Sequence, residues 1–277
     1  MDDNVGAFYI SNGTVKSAEI PETVDITKNR VVYEVIRIID SVPLFFEDHF
    51  ARMENSFKAI GGVLKFSART LKTGIRSLLE ANGSSCCNVK LTVYEDLEAQ
   101  KYLMYISKSH YPGIEEISRG VPVGLLSLER QNPNAKVLNQ SYREAVAESI
   151  RRGGFFEVLL VNRYKGITEG SKSNAFFFKD GRIFTAPGSE VLRGITRKYV
   201  LEACAAAGFG VVEELVRTDE LEEVESLFLS GTSIKVLPIS EADGRKFDSA
   251  AHPAIISIRN EYDALVKKYV DENVNIW

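Results

Sequence analysis

The sequence predicts an α+β fold in two parts. Strand-like and helix-like stretches follow one another without the regular βα alternation of a Rossmann or TIM-barrel chain. At 277 residues the chain is long enough for one large domain or two modest ones. The stretch His110-Tyr-Pro-Gly-Ile-Glu-Glu-Ile-Ser118 breaks the pattern with Pro-Gly and charge and is the best site for a linker. It divides the chain into a small N-terminal domain, residues 1–118, and a larger C-terminal domain, residues 119–277.

In chain order, residues 7–10 read as a strand entering a tight hairpin turn at Ser11-Asn12-Gly13-Thr14. Residues 31–39 are rich in β-branched and aliphatic side chains and read as a second strand. From Glu47, the apolar residues Phe50, Met53, Phe57 and Ile60 have the spacing of one helix face, and Gly61-Gly62 stops it. Ser67 caps a further helix that ends near Asn82-Gly83. Two strands follow at 89–94 and 102–107. Beyond the break, Ser141-Tyr-Arg-Glu144 has the form of a capping box, and its helix ends at Gly153-Gly154. Residues 155–161 read as a strand. Residues 175–178 and 183–184 form a hairpin around Asp180-Gly181. Gly194-Ile195-Thr196 opens an alanine-rich helix that ends at Gly208. The last helix starts at Pro253, a residue suited to a first helical position, with Ile255, Ile258, Tyr262, Leu265 and Tyr269 on its buried face.

Composition excludes several classes of function. The net charge is −4 and the basic residues are spread along the chain, which argues against a nucleic-acid or anionic-membrane partner. No apolar run approaches the ~20 residues of a membrane span, and the N-terminus lacks the pattern of a leader, so a cytoplasmic location is expected. The three cysteines, Cys86, Cys87 and Cys204, form neither a disulfide framework nor a zinc site and are expected to be small buried hydrophobes. His49, His110 and His252 lie far apart and are expected to be structural, so no metal is expected. No Gly-x-Ser-x-Gly elbow or P-loop is present.

Four short motifs remain. In Glu47-Asp-His-Phe-Ala-Arg-Met-Glu-Asn-Ser56, Arg52 flanks the apolar stripe, and a fixed guanidinium fork suits a phosphate as well as it suits plain solvent. In Asn134-Ala-Lys136-Val-Leu-Asn139, a lysine is bracketed by small and aliphatic residues. Such surroundings disfavour the ammonium form, as a nucleophilic amine requires. Ile167-Thr-Glu169-Gly-Ser-Lys-Ser-Asn-Ala-Phe176 puts a carboxylate at a strand end before a small polar turn. Leu192-Arg-Gly194-Ile195-Thr196-Arg197 places free N–H groups at a helix start, and Phe228-Leu-Ser-Gly231-Thr232-Ser233 offers more in a turn; both suit an anion. Singly, each is equally compatible with ordinary structure.

Together and in this order the motifs resemble the class IV aminotransferases, the fold-type IV pyridoxal-phosphate enzymes. That group includes branched-chain and D-amino acid aminotransferases and aminodeoxychorismate lyases. The resemblance runs from Tyr33-Glu34-Val35-Ile36-Arg37 to about Pro238. It implies a small α/β domain followed by a larger pseudo-barrel domain, and a homodimer. It implies that Lys136 joins the pyridoxal 5'-phosphate aldehyde as a Schiff base and then shuttles a proton. Glu169 would pair with the pyridine nitrogen, with Ser173 and Asn174 beside the cofactor. Arg52, Ile195, Thr196, Gly231 and Thr232 would bind the phosphate. Tyr33, Arg37 and Lys90 would line the substrate side, and the substrates would be an amino acid, with an aliphatic or branched-chain side chain as the first expectation, and a 2-oxo acid.

The chain also departs from the family pattern. Residues 25–30 (Asp-Ile-Thr-Lys-Asn-Arg) stand where relatives carry a glycine-rich stretch, and no Arg-x-His follows Lys90. The tyrosine that branched-chain enzymes place after the lysine falls at Ser141 or, with a one-residue slip, Tyr142. Two alternatives to transamination follow: a lyase releasing pyruvate, slightly favoured by Lys90 and the short Lys-x-Leu-Asn loop, and a non-catalytic binding protein on the same fold.

Overall fold

The computed structural model describes residues 3–22, 24, 30–95, 99–130, 134, 136 and 140–277. The chain divides into two compact units. The first is Met1–Ser109 with Ala135–Leu138 and Val266–Trp277, and the second is His110–Asn134 with Asn139–Leu265.

The first unit contains β1 (Phe8–Ser11), β2 (Thr14–Ser17), β3 (Arg30–Ile39), β4 (Val42–Pro43), α1 (Phe46–Ala59), α2 (Ala68–Asn82), β5 (Cys87–Glu95) and β6 (Gln100–Ile106). Its six strands form an antiparallel sheet in the order β2-β1-β6-β5-β3-β4. The turn into β2 uses positive φ at Asn12 and Gly13, as a two-residue hairpin requires. Along β3 the side chains alternate: Val32, Glu34, Ile36 and Ile38 are buried, while Tyr33, Val35 and Arg37 are half-buried on the other face. The buried face packs with Phe46, Met53 and Phe57 of α1 and Leu71, Ile75 and Leu78 of α2 into the main core. Ser67 caps α2 by accepting the Thr70 N–H at 3.1 Å, and Gly83 ends it with φ 57°.

The second unit contains α3 (Ile114–Arg119), β7 (Val121–Ser127), α4 (Gln140–Gly153), β8 (Glu157–Val161), β9 (Gly166–Gly170), β10 (Asn174–Lys179), β11 (Arg182–Thr185), α5 (Ile195–Ala206), β12 (Val211–Glu213), β13 (Val216–Arg217), β14 (Ser226–Gly231), β15 (Lys235–Ala242), β16 (Arg245–Lys246) and α6 (Pro253–Asn273), whose last turns belong to the first unit. Its mixed sheet runs β12-β11-β10-β14-β15-β7-β8-β9-β13, with β16 on β15. β7 is parallel to both β15 and β8, and β12 is parallel to β11. β9 and β10 lie far apart in that order, yet only residues 171–173 connect them. So short a link requires the sheet to curl until their ends meet, which gives the half-barrel and carries Glu169 and Asn174 to the two sides of one turn.

The stretch expected as a linker begins where the two units divide and holds α3, stabilised where the Gly113 N–H donates to the Glu116 carboxylate at 2.9 Å. Two expectations change. Ser141 lies inside α4, which begins at Gln140, so it is not the cap. Cys87 and Cys204 are buried thiols, but Cys86 is exposed, with its sulfur 3.1 Å from the Arg37 guanidinium. No disulfide joins them. Among the described residues no helix is long and apolar enough to cross a membrane, and no cluster of His, Cys, Asp and Glu could hold a metal.

Candidate active site

In the first unit, Lys136 is held by its main chain. Its N–H donates to the Ser56 hydroxyl on α1 at 3.3 Å, and its carbonyl accepts the Tyr33 N–H of β3 at 3.2 Å. The half-buried side chain places Nζ 5.0 Å from the Tyr33 ring centroid, against a π-face rather than a purely aliphatic wall. Of the Lys136-Val-Leu-Asn139 motif only Lys136 is described; Val137, Leu138 and Asn139 lie outside the described residues, as do residues 25–29.

Glu34 points the opposite way from Tyr33 and is fully buried. One carboxylate oxygen accepts Arg52 Nε at 2.8 Å; the other accepts Arg52 Nη2 and lies 2.7 Å from His49 Nδ1. Burial alone would raise the Glu34 pKa, but Arg52 and His49 overcome it and hold the group down at about 2. The His49 pKa is lowered, chiefly by burial, which outweighs the opposing pull of Glu34; Arg52 and Lys136 lower it further. A neutral ring beside an ionised carboxylate must donate from Nδ1. Arg52 is thus a cation oriented by a fork–fork pair. Lys90, on β5, is only 9% exposed and pairs with Asp3 at 3.0 Å. Arg37 is turned toward Cys86.

In the second unit, Glu169 is the next-to-last residue of β9, with 2% exposure. One oxygen forms an ion pair with Arg130 Nε at 2.8 Å. The other accepts the Leu192 N–H at 3.2 Å and the Asn174 amide at 3.4 Å. Asn174 also donates to the Leu192 carbonyl at 3.0 Å, so it braces Glu169 against the segment leading into α5. Tyr142 donates from its hydroxyl to the Ser171 carbonyl at 2.8 Å, and Arg130 stacks over its ring at 4.9 Å while donating to the same carbonyl at 2.9 Å. Ser141 is exposed, and Tyr142 is the residue of the two that reaches this cluster.

The turn between Glu169 and Asn174 is anchored from below by Glu157 on β8. Its carboxylate accepts the Lys172 N–H at 2.6 Å and the Ser171 hydroxyl at 3.2 Å. Burial raises its pKa despite these bonds. A Cβ on Gly170 would stand 2.1 Å from Ser173 Oγ and 2.7 Å from Glu157 Oε1, so the turn closes only around glycine. Ser173 is buried within it.

Gly194 is the N-cap of α5, and the first-turn N–H groups of Ile195 and Thr196 have no partner within the helix ladder. The Thr196 hydroxyl is hydrogen-bonded to Tyr262, whose phenol is pushed by burial well above its ordinary pKa. A Cβ on Gly194 would meet Asn174 Oδ1 at 2.3 Å, which ties this cap to the brace on Glu169. Gly231 and Thr232 lie where β14 turns into β15.

A pyridoxal phosphate fits these donors by type. A buried carboxylate held ionic by Arg130 matches a protonated ring nitrogen, an open helix start matches a phosphate, and a pinned lysine matches the aldehyde. Sequence reasoning assigned no role to Glu34, Arg130 or Glu157. Glu34 was detectable as the one charge on the buried face of a period-2 strand; Arg130, in a loop after β7, carried no signal.

Comparison with known proteins agrees. The sequence profile described as amino-transferase class IV matches residues 31–242. The D-alanine aminotransferase of Bacillus licheniformis is 28% identical over 231 residues, covering 79% of this chain and 81% of that protein. The branched-chain-amino-acid aminotransferase of Pseudomonas aeruginosa is 26% identical over 256 residues, covering 85% and 83%. Among solved structures, a T.th. branched-chain amino acid aminotransferase with pyridoxamine 5'-phosphate superposes with a TM-score of 0.84 at 23% identity, covering 96% of this chain and 97% of that one. With the profile spanning most of its length and the curled sheet matching in fold, the chain belongs to the class IV aminotransferases, transaminases that use pyridoxal phosphate to exchange an amino group between an amino acid and a 2-oxo acid.

Proposed function

We propose that this transaminase binds its cofactor through Lys136 and takes an aliphatic amino acid as donor. The observation that carries the reading is the double main-chain tether of Lys136, which holds one amine against the Tyr33 ring. Pyridoxal phosphate supplies, when bound, an aldehyde for that amine and a cationic ring that accepts the electron pair left at Cα. Lys136 would be the base that takes the proton from the donor's Cα. Glu169, kept anionic by Arg130, holds a proton on the ring nitrogen. Arg52, oriented by Glu34, and the N–H groups of Ile195 and Thr196, with Gly231 and Thr232, bind the phosphate. The aliphatic donor is supported by the branched-chain relatives and by Val35 on the Tyr33 face of β3.

The test is borohydride treatment of the holoenzyme followed by peptide mass analysis. The cofactor mass is expected on Lys136, and Lys136→Ala is expected to lose both the label and the visible absorbance. A label on another lysine sinks the assignment.

A further inference from the structure

Lys90 lies on the central strand pair of the first sheet, opposite Val35 of β3 and Tyr105 of β6. Its ammonium is 5.7 Å from the centroid of the Tyr33 ring, the same ring that Lys136 Nζ approaches at 5.0 Å. Two amines therefore lie against one aromatic ring. A lysine so enclosed needs a counter-charge, and the chain supplies its own. The Asp3 carboxylate lies 3.0 and 3.3 Å from Nζ and accepts the Tyr105 hydroxyl at 2.7 Å. Burial would raise the Asp3 pKa, but Tyr105 and Lys90 outweigh it and lower it, so the carboxylate is ionised at neutral pH.

The pair is fixed from outside itself. The Asp3 carbonyl accepts the Lys108 N–H at 2.6 Å, Asn4 bridges to Ser107, and the Val5 N–H donates to the Ile106 carbonyl at 2.9 Å. The main chain from Asp3 to Val5 thus runs along the end of β6 and delivers Asp3 to Lys90 independently of the ion pair. A substrate carboxylate seeking this cation would have to displace one that is already tethered, and a tethered group competes at high effective concentration.

We propose that Asp3 is a built-in carboxylate that occupies Lys90 and so sets donor choice: amino acids with uncharged side chains are accepted, and those with a second carboxylate are disfavoured. This inference rests on Lys136 being the reacting amine. Arg37 shares the face but is directed to Cys86, so Lys90 is the cation whose pairing the substrate side chain meets.

The test compares holoenzyme with Asp3→Asn, Lys90→Met and the double variant. Each is given leucine and glutamate in whichever enantiomer the unaltered enzyme turns over. Asp3→Asn is expected to raise the glutamate-to-leucine ratio of kcat/KM about tenfold, the order of one charge-assisted hydrogen bond. It should tighten calorimetric binding of unreactive glutarate by a similar factor. The double variant should return both to the starting values. An unchanged ratio in Asp3→Asn, or a gain that persists without Lys90, makes Asp3 a structural clasp and overturns the proposal. If the unaltered enzyme carries no borohydride-fixed cofactor on Lys136, the underlying assignment has failed and the inference falls with it, a result separable from unchanged donor choice in a labelled enzyme.

Discussion

Glu34 and Glu169 are both buried carboxylates gripped by an arginine, yet their surroundings prepare them for different tasks. Glu34 has both oxygens engaged by Arg52 and His49. Replacing it with glutamine leaves the Arg52 cation enclosed without its counter-charge, and a loss of about 3–5 kcal/mol is expected from chemical unfolding at pH 7. Because the folded pKa of about 2 lies below the ordinary 4.5, this stabilisation is fully present above pH 4.5 and fades as pH falls toward 2. The stability gap between the unaltered enzyme and Glu34→Gln should therefore narrow over that window, and a gap that stays constant with pH would refute the ionic assignment. Glu169, in contrast, has Arg130 on one oxygen and neutral donors, the Leu192 N–H and the Asn174 amide, on the other. Arg130→Met removes the charge that favours its anionic form. Turnover is expected to fall about tenfold or more while cofactor remains bound; near-normal kcat in a loaded Arg130→Met enzyme would show that Glu169 needs no such partner.

At the scale of elements, the turn from β9 to β10 and the start of α5 form one assembly. Glu157 holds the turn, Asn174 joins it to the segment before α5, and Gly194 lets the two approach. Gly194→Ala would drive a methyl group into Asn174 Oδ1, so cofactor affinity is expected to drop about tenfold. Gly210→Ala, where an added Cβ meets nothing within 4 Å, is the control and should bind cofactor normally. Equal affinity in the two variants would separate Asn174 from the cofactor site.

For the whole molecule, cofactor binding is linked to folding. A ligand at a hundred times its dissociation constant adds about 2.7 kcal/mol, which in a chain of this size raises Tm by roughly 5–10 °C. Apoenzyme should melt lower by that order and recover on addition of pyridoxal phosphate but not of pyridoxal. Recovery with pyridoxal alone would remove the phosphate-binding role from Arg52 and α5.

Read alone, the sequence determined the local frame: the two Asn-Gly and Asp-Gly hairpins, the Ser67-capped helix, the alternation of β3 and the amphipathic stripe of α1 all follow from short-range periodicity and turn chemistry. Its motif order also carried the family. Only the tertiary structure decided how the sheet closes, which tyrosine reaches the Glu169 cluster, and which charges meet. Arg130 finds Glu169 across 39 residues, Arg52 finds Glu34 across 18, and Lys90 finds Asp3 across 87. Pairings at such separations are set by sheet order and register rather than by spacing along the chain. The composition of the chain therefore showed 34 cations and 38 anions, and only the fold chose partners among them.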